Sequence, residues 1–293
     1  MRSRPTLRSL IIIGMLALGA PVGQAFANPV PQAQPPASAS VSVAALTKTL
    51  KITDVIEVMR LEGLQYGTQM QEELFPDQGG ATWASVVELI YDGPTMQARF
   101  NEAFAKELAG SEKDLPAMLR FFGADLGQRI LALEVEARRS LMDQAVEDAA
   151  KARVEDMMAD AAPRFELLQA FSETNDLIEM NISGALNSNL AFFQGMAEVG
   201  GPEQDMSEED ILMDVWAQEP EIRAETESWV YPYLALAYGP LSDEEMGAYI
   251  AFSKTGPGQK LNAALFAAFD KVFAAISRDL GRAAAKQMMG QDI

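Results

Sequence analysis

The sequence lacks the two side chains on which most enzyme active sites and transition-metal sites depend. Its 293 residues contain no histidine and no cysteine, which excludes Ser-His-Asp and Cys-His triads, thiolate zinc sites and HExxH sites. Carboxylates remain available, but no motif favours one pair over another and no spaced calcium-binding loop is present. We therefore predict no catalytic residue, no metal site and no cofactor, and keep a carboxylate-based enzyme as an alternative.

Aromatic side chains are the first candidates for contact with a ligand or partner. Five lie within 21 residues: Trp229, Tyr231, Tyr233, Tyr238 and Tyr249. Aromatic rings with polar tips suit wet interfaces, where they stack on sugars or cover apolar groups. The alternative is that the same residues fill a helical core. Pro232 lies among them and favours a kink that would expose part of the segment.

Two glutamine-cation pairs, Gln128-Arg129 and Gln259-Lys260, are the second candidates. Each follows a glycine at a predicted helix start, where a cation faces the positive end of the helix dipole. One interpretation is that acids of the preceding helix start offset this cost: Glu244 or Glu245 for Lys260, and Glu112 or Asp114 for Arg129. The alternative is that the cation and the free N–H groups hold an anion.

These residues are expected to lie on helices. Strands would alternate polar and apolar residues, and between the Gly and Pro breaks no stretch does so for long. The sequence predicts an all-α protein of about ten helices. Ser242 to Glu245, and more weakly Ser207 to Asp210, have the pattern of a capping box. The last helix is predicted from about Gly258 towards Met288. Its buried stripe would consist of Leu261, Leu265, Phe269, Val272, Ile276 and Leu280, widened by Phe266 and Phe273.

The chain also contains segments that resemble each other. Residues 111–130 align without a gap with residues 242–261 at an offset of 131, and five of twenty positions are identical. Asp54 to Met59 matches Asp176 to Asn181 at an offset of 122. This self-similarity predicts two tandem related helical units, which we place at residues 44–160 and 161–293.

The two predicted units differ in their apolar stripes. In the first, the positions that correspond to the last stripe include Glu134 and Arg138. A different stripe would form there instead, made of Leu131, Val135, Met142, Val146 and Val154. It predicts one long helix that continues past Lys151 and joins the two units.

Residues 241–261 resemble a known family. They read Leu241-Ser242-Asp243-Glu244-Glu245 and, from Phe252 to Leu261, FSKTGPGQKL. This is similar to DUF2059, an uncharacterised family of exported bacterial helical proteins with an LSxEE helix start and an FxxSPxGQK turn. Thr255-Gly256 stand where the family has Ser-Pro. The resemblance implies a helical, exported protein, with a family-like domain at 161–293 and a degenerate copy before it, and supplies no activity.

The N-terminal residues have the pattern of a cleavable signal peptide. Arg2, Arg4 and Arg8 precede an apolar run from Leu10 to Ala20, and Ala25-Phe26-Ala27 is a small-x-small cleavage site. We therefore predict a signal peptide at 1–27, a flexible Pro/Ala/Ser-rich linker at 28–43 and a periplasmic location. The apolar run is too short to span a bilayer, so no stable membrane insertion is expected after cleavage.

The net charge narrows the class of partner. Removing the three arginines of residues 1–27 takes the formal charge from −19 to −22, which disfavours binding to nucleic acid or to anionic lipid. We expect a non-catalytic periplasmic binding or adaptor protein for an unidentified envelope component or protein. A holdase-like chaperone is the alternative, because fourteen of the 16 methionines follow residue 27 and methionine adapts to irregular clients.

Overall fold

The computed structural model describes residues 41–76, 79–200 and 207–291. Within these ranges the chain is all-α, as predicted, and contains no strand. Thirteen helices are present: α1 (Val43–Thr49), α2 (Ile52–Leu74), α3 (Gly80–Ile90), α4 (Gly93–Glu107), α5 (Leu115–Phe122), α6 (Asp125–Ser140), α7 (Gln144–Ala159), α8 (Pro163–Thr174), α9 (Leu177–Glu198), α10 (Glu208–Trp216), α11 (Glu219–Tyr238), α12 (Asp243–Ser253) and α13 (Gly256–Met288). The predicted signal peptide and the predicted linker up to residue 40 lie outside the described residues.

Side-chain caps fix helix starts where the sequence predicts them. The Ser242 hydroxyl accepts the backbone N–H of Glu245 at 3.1 Å, and the Glu245 carboxylate accepts the N–H of Ser242 at 2.8 Å. Ser207 and Asp210 form the same reciprocal capping box at α10. Thr255 caps α13, which begins at Gly256, two residues before the predicted start.

The predicted long helix past Lys151 is wrong. α6 ends at Ser140 and α7 begins at Gln144, because Asp143 is extended and its carboxylate accepts the N–H of Ala145 at 2.8 Å. A side-chain cap of this kind starts a new helix. The proposed stripe is therefore divided between two helices, and α7 packs separately against α11.

Helices α1–α6 and helices α8–α13 form two sets of six, each with a short first helix and a long second helix. We call them unit one and unit two. Each unit begins with a short helix and then passes through a left-handed residue, Lys51 (φ 56°) or Asp176 (φ 51°). A helix of 23 or 22 residues follows in each unit. Lys51 and Asp176 thus correspond at an offset of 125, so the sequence match of Asp54 with Asp176 is out of register by three residues.

The segments matched at an offset of 131 keep that register in the structure. Both fold as a helix, a two-residue turn and a second helix. The turn is Gly123-Ala124 in unit one and Lys254-Thr255 in unit two. Ala124 and Thr255 have nearly the same backbone angles, with φ/ψ of −77°/162° and −81°/156°.

The long helix α13 forms the centre of the molecule, and its predicted apolar stripe is confirmed because all the stripe residues are buried. It lies parallel to α9, because the contacts Asn187–Asp270, Gln194–Arg278 and Glu198–Arg282 keep a nearly constant separation of 83 or 84 residues. The backbones touch at two glycines: a Cβ added to Gly195 would overlap the carbonyl oxygen of Arg278, and one added to Gly281 would overlap that of Phe192. Only glycine permits so close an approach.

The two units interlock through their last helices. α13 packs against α4 of unit one, where Phe269 contacts Phe100 with ring centroids 4.7 Å apart, and α6 packs against α11 of unit two. Between α5 and α12 the rings of Phe121 and Phe252 stack at 4.0 Å with an interplanar angle of 2°. Each unit therefore contributes its last helix to the core of the other.

Replacing Gly195 with alanine should lower the free energy of unfolding by roughly 1–3 kcal/mol, because the new methyl group has no space between α9 and α13. Gly247→Ala in α12 is the matched control, since no atom lies within 4 Å of the added Cβ. It should stabilise the helix by about 0.5–1 kcal/mol. Urea unfolding measures both, and equal changes would contradict the close packing.

Candidate functional site

The structure places the five predicted aromatic residues on α11 and α12. Tyr233, Tyr238 and Tyr249 are buried, and Trp229 and Tyr231 are half-buried. Trp229 stacks on Tyr233 with ring centroids 4.9 Å apart. α11 continues through Pro232, which is itself buried, and Tyr233 beyond it stays in the core. Three of the five thus belong to the core, in line with the alternative interpretation.

The three buried tyrosines surround a buried carboxyl group. Glu134 of α6 is 1% exposed. Its Oε1 accepts hydrogen bonds from the hydroxyls of Tyr238 at 2.7 Å and Tyr249 at 3.1 Å. Its Oε2 is buried without a hydrogen-bond partner. The acid comes from unit one and both donors from unit two, so this contact joins the units.

Burial controls the protonation of this group. It raises the pKa of Glu134 to about 7, although the two tyrosine hydroxyls oppose the shift. Burial and the neighbouring acid raise the pKa of Tyr238 and of Tyr249 well above the usual range. Both tyrosines therefore remain donors while Glu134 gains or loses its proton near neutrality.

One turn further along α6, a second buried charge extends the cluster. Arg138 is 4% exposed and binds Glu62 of α2 through two hydrogen bonds, of 2.8 Å from Nε and 2.7 Å from Nη2. The charges of Glu134, Arg138 and Glu62 all act on Tyr233, whose pKa is raised chiefly by burial. We call these side chains the polar centre: Glu62, Glu134, Arg138, Tyr233, Tyr238 and Tyr249.

Unit two has no counterpart of this cluster. At the offset of 131, Glu134 and Arg138 correspond to Leu265 and Phe269, both fully buried in the stripe of α13. The alignment of the two segments, continued at the same offset, already places Glu134 and Arg138 opposite apolar residues. From this we predict a different apolar stripe in unit one, and not buried polar groups. The signal that would have identified them is that an acid and a base, four residues apart, align with core positions of unit two.

The polar centre can bind a proton, but it is closed to a substrate. All its members except Glu62 are at most 4% exposed, and the side chain of Glu62 is 29% exposed. Within the described ranges no group of three or more acidic side chains is arranged to hold a metal ion. Among the same residues, no helix is both long enough and apolar enough to cross a membrane.

The second set of predicted residues has different partners from those expected. Arg129 binds Glu245 of unit two at 2.6 Å and donates to the carbonyl oxygen of Pro240 at 2.6 Å, so its predicted partners in unit one are wrong. Lys260 is exposed and forms no ion pair with any described residue, so its predicted partners are wrong as well. Arg129 pairs with unit two because its helix, α6, packs against that unit. Anion binding at Lys260 stays a prediction.

The two glutamines have local structural contacts. Gln128 donates to the carbonyl oxygen of Phe122 at 2.7 Å and to that of Thr49 at 3.0 Å. Gln259 donates to the carbonyl oxygen of Ser253 at 3.2 Å. Each amide thus bonds back across its turn to the residue six positions earlier, and both are half-buried.

An exposed apolar surface lies elsewhere, on α10. Leu212, Met213 and Trp216 are 43%, 59% and 60% exposed, and we call them the α10 face. Ile211 and Val215 on the same helix are buried in a small apolar cluster with α9 and α11. This surface is not among the residues predicted from the sequence. Its signal is an apolar run from Ile211 to Trp216 that only Asp214 interrupts, which is more than one buried side of a helix can hold.

A groove adjoins the α10 face. It has a volume of about 470 Å³ and lies between α9, the end of α10 and the start of α11. Its walls include Ile182, Leu186, Trp216, Pro220, Glu179 and Arg223. Arg223 binds Glu179 at 2.5 Å and Glu219 at 2.8 Å, so the charges at the rim are already paired.

Comparison with known proteins shows that part of the chain is similar to one family. Residues 94–166 match the model of a family described as an uncharacterized protein conserved in bacteria, DUF2059. This confirms the predicted resemblance. The matched residues run from α4 into α8 and include residues 111–130, whereas residues 241–261, which carry the family-like motif, lie outside the match. Searches of curated proteins and of solved structures found no significant match.

Replacing Glu134 with glutamine should remove a pH-dependent loss of stability. Between pH 4.5 and 7 the native state keeps the proton that the unfolded state releases, so the contribution of Glu134 to stability is present below pH 4.5 and is lost as pH rises to 7. The stability of Glu134→Gln relative to wild type should therefore rise by roughly 3 kcal/mol across this range. Urea unfolding from pH 4.5 to 8 measures the difference.

Glu136→Gln is the matched control, because Glu136 lies on the same helix and is exposed. Its stability relative to wild type should change little over the same pH range. A constant difference between Glu134→Gln and wild type would show that Glu134 is already ionised in the folded protein at pH 5, contrary to the effect of its burial.

Proposed function

We propose that this chain is a non-catalytic protein-binding adaptor of the bacterial periplasm and that the α10 face is its binding surface. The exposure of Leu212, Met213 and Trp216 beside the groove is the observation that carries the proposal. Burying a tryptophan side chain gives one of the largest favourable free-energy changes of any residue, and an exposed tryptophan does not contribute it to folding. Tryptophan in a pocket is also among the side chains that contribute most to protein–protein binding.

The position of α10 in the fold supports this assignment. The six buried residues that hold it form a cluster separate from the main core. The α10 face can therefore take up a partner without disturbing the contact between α9 and α13. The closed polar centre has no comparable access to solvent, and for this reason we assign it to stability and not to catalysis.

The tandem organisation of residues 44–160 and 161–293 is part of the same proposal. The shared order of six helices, the left-handed residues Lys51 and Asp176 and the matching turns support it. The net charge of −22 after removal of residues 1–27 favours a partner with basic groups over nucleic acid or anionic lipid.

A holdase-like chaperone is the second candidate, because other methionines are exposed as well. Met158, Met288 and Met289 are 58%, 39% and 37% exposed and lie on or beside α7 and α13, away from α10. Scattered methionines suit irregular clients. An adaptor would instead concentrate binding at one surface.

Export is tested by the mass of the purified protein. We expect the chain from the periplasmic fraction of its own bacterium to begin at Asn28, because Ala25-Phe26-Ala27 directs cleavage there. Intact-mass spectrometry of periplasmic, membrane and cytoplasmic fractions measures this. A chain that keeps residues 1–27 in the cytoplasm would contradict the proposed location.

Binding at α10 is tested by site-specific photo-crosslinking in the same bacterium. A photoreactive amino acid at Met213 should give one discrete adduct with an envelope protein. The same amino acid at Leu89, which is 75% exposed on α3, is the matched control and should give none. A broad range of adducts at both positions would support the holdase, and the absence of any adduct at Met213 would contradict the proposed function.

A further inference from the structure

α3 corresponds to α10 in unit one, and a helix of unit two packs against it. α3 packs on α2 and on α13. α13 extends further than its counterpart α6. At the offset of 131 the last residue of α6, Ser140, corresponds to residue 271, whereas α13 continues to Met288. In this added part Asp279 binds Arg99 of α4 at 3.5 Å. After α6, which corresponds to α13, the chain continues as α7, which packs on α11 of unit two, and the α10 face is exposed.

The added part of α13, residues 272–288, is an amphipathic and basic helix. Its apolar side, which includes Val272, Ile276 and Leu280, is buried. Its polar side carries three cations and one acid: Arg278, Arg282, Lys286 and Asp279. Arg282 binds Glu198 at the end of α9 at 2.5 Å. The molecule thus contains an amphipathic, basic segment at the end of a helix that packs on α3.

The surroundings of α10 have the charge to attract such a helix. Glu208, Glu209 and Asp210 form the first turn of α10, Glu221 lies near the start of α11, and all four are exposed. None of these carboxylates forms an ion pair with a described residue. Opposite charges on a partner would therefore be attracted without first breaking an existing pair.

The groove next to the α10 face indicates how the partner is anchored. Between α3 and α4, Tyr91 is fully buried, and its ring occupies the space beside Gly63 of α2. Between α10 and α11 the corresponding residue is Ala217, which is small and exposed. Unit one thus has a buried ring at this junction, and in unit two a groove of about 470 Å³ adjoins Ala217.

We propose that the α10 face binds one amphipathic, basic α-helix of a partner protein, which inserts a bulky apolar side chain into the groove beside Ala217. This inference rests on the proposed adaptor function and names its partner class. The apolar side of the helix covers Met213 and Trp216, and its cations face the carboxylates of the first turn of α10. The partner helix packs on α10 as α13 packs on α3.

The test uses a fluorescently labelled synthetic peptide with the sequence of residues 272–288 and the folded protein from Asn28 to Ile293. Fluorescence anisotropy should show saturable binding. Trp216→Ala and Met213→Glu should each weaken it at least tenfold, whereas Leu89→Glu on α3, the matched control, should leave it unchanged. Circular dichroism and melting temperature verify that each variant is folded.

A second peptide, in which Arg278→Glu, Arg282→Glu and Lys286→Glu are combined, separates charge from apolar contact. It should bind at least tenfold more weakly, and added salt should weaken only the basic peptide. Equal binding of both peptides, or no saturable binding, would overturn the proposal. So would self-association of the wild-type protein that Met213→Glu abolishes in sedimentation experiments, because a second copy would then cover the face.

The two proposals fail in different ways. A discrete cross-linked adduct at Met213 together with no peptide binding would retain the adaptor function and reject the basic helix as its partner. The absence of both would reject both. Peptide binding that is lost in Trp216→Ala, together with a cross-link that maps to a basic helical segment of the partner, is the result expected.

Discussion

The contact between α9 and α13 at Gly195 and Gly281 is the constraint on which the rest of the structure depends. Because these backbones touch, the two helices are held in parallel with a fixed register, along which Gln194 meets Arg278 at 2.6 Å. Fixing α13 in unit two also fixes the surface that it presents to α4 of unit one. The interlocking of the units thus follows from a contact within one unit.

The two units have the same helix order but different interiors and different surfaces. Where Leu265 and Phe269 fill one core, Glu134 and Arg138 place charge in the other, and buried charge costs free energy unless it is paired and hydrogen-bonded. α13 is longer than α6 and also packs on α3, and the α10 face is exposed. We infer that one unit adjusts stability with pH and the other provides the binding surface.

Features that depend on neighbouring residues in the chain could be predicted from the sequence. The capping box at Ser242, the buried stripe of α13 and the all-α fold are of this kind, because a cap or an amphipathic period is complete within one helix. The break at Asp143 was local too, but a continuous apolar stripe obscured it. The resemblance of residues 111–130 to residues 242–261 likewise anticipated their common turn.

The sequence by itself determined which side of each helix is apolar, and only the tertiary structure decided what covers that side. Arg129 therefore forms its ion pair with Glu245, 116 residues away, and not with an acid of its own unit. The tertiary structure also buried Glu134 under Tyr238 and Tyr249, and it left Trp216 exposed on α10. The reason is physical: burial and ion pairing depend on distances between helices, and the periodicity of one helix carries no information about its neighbours.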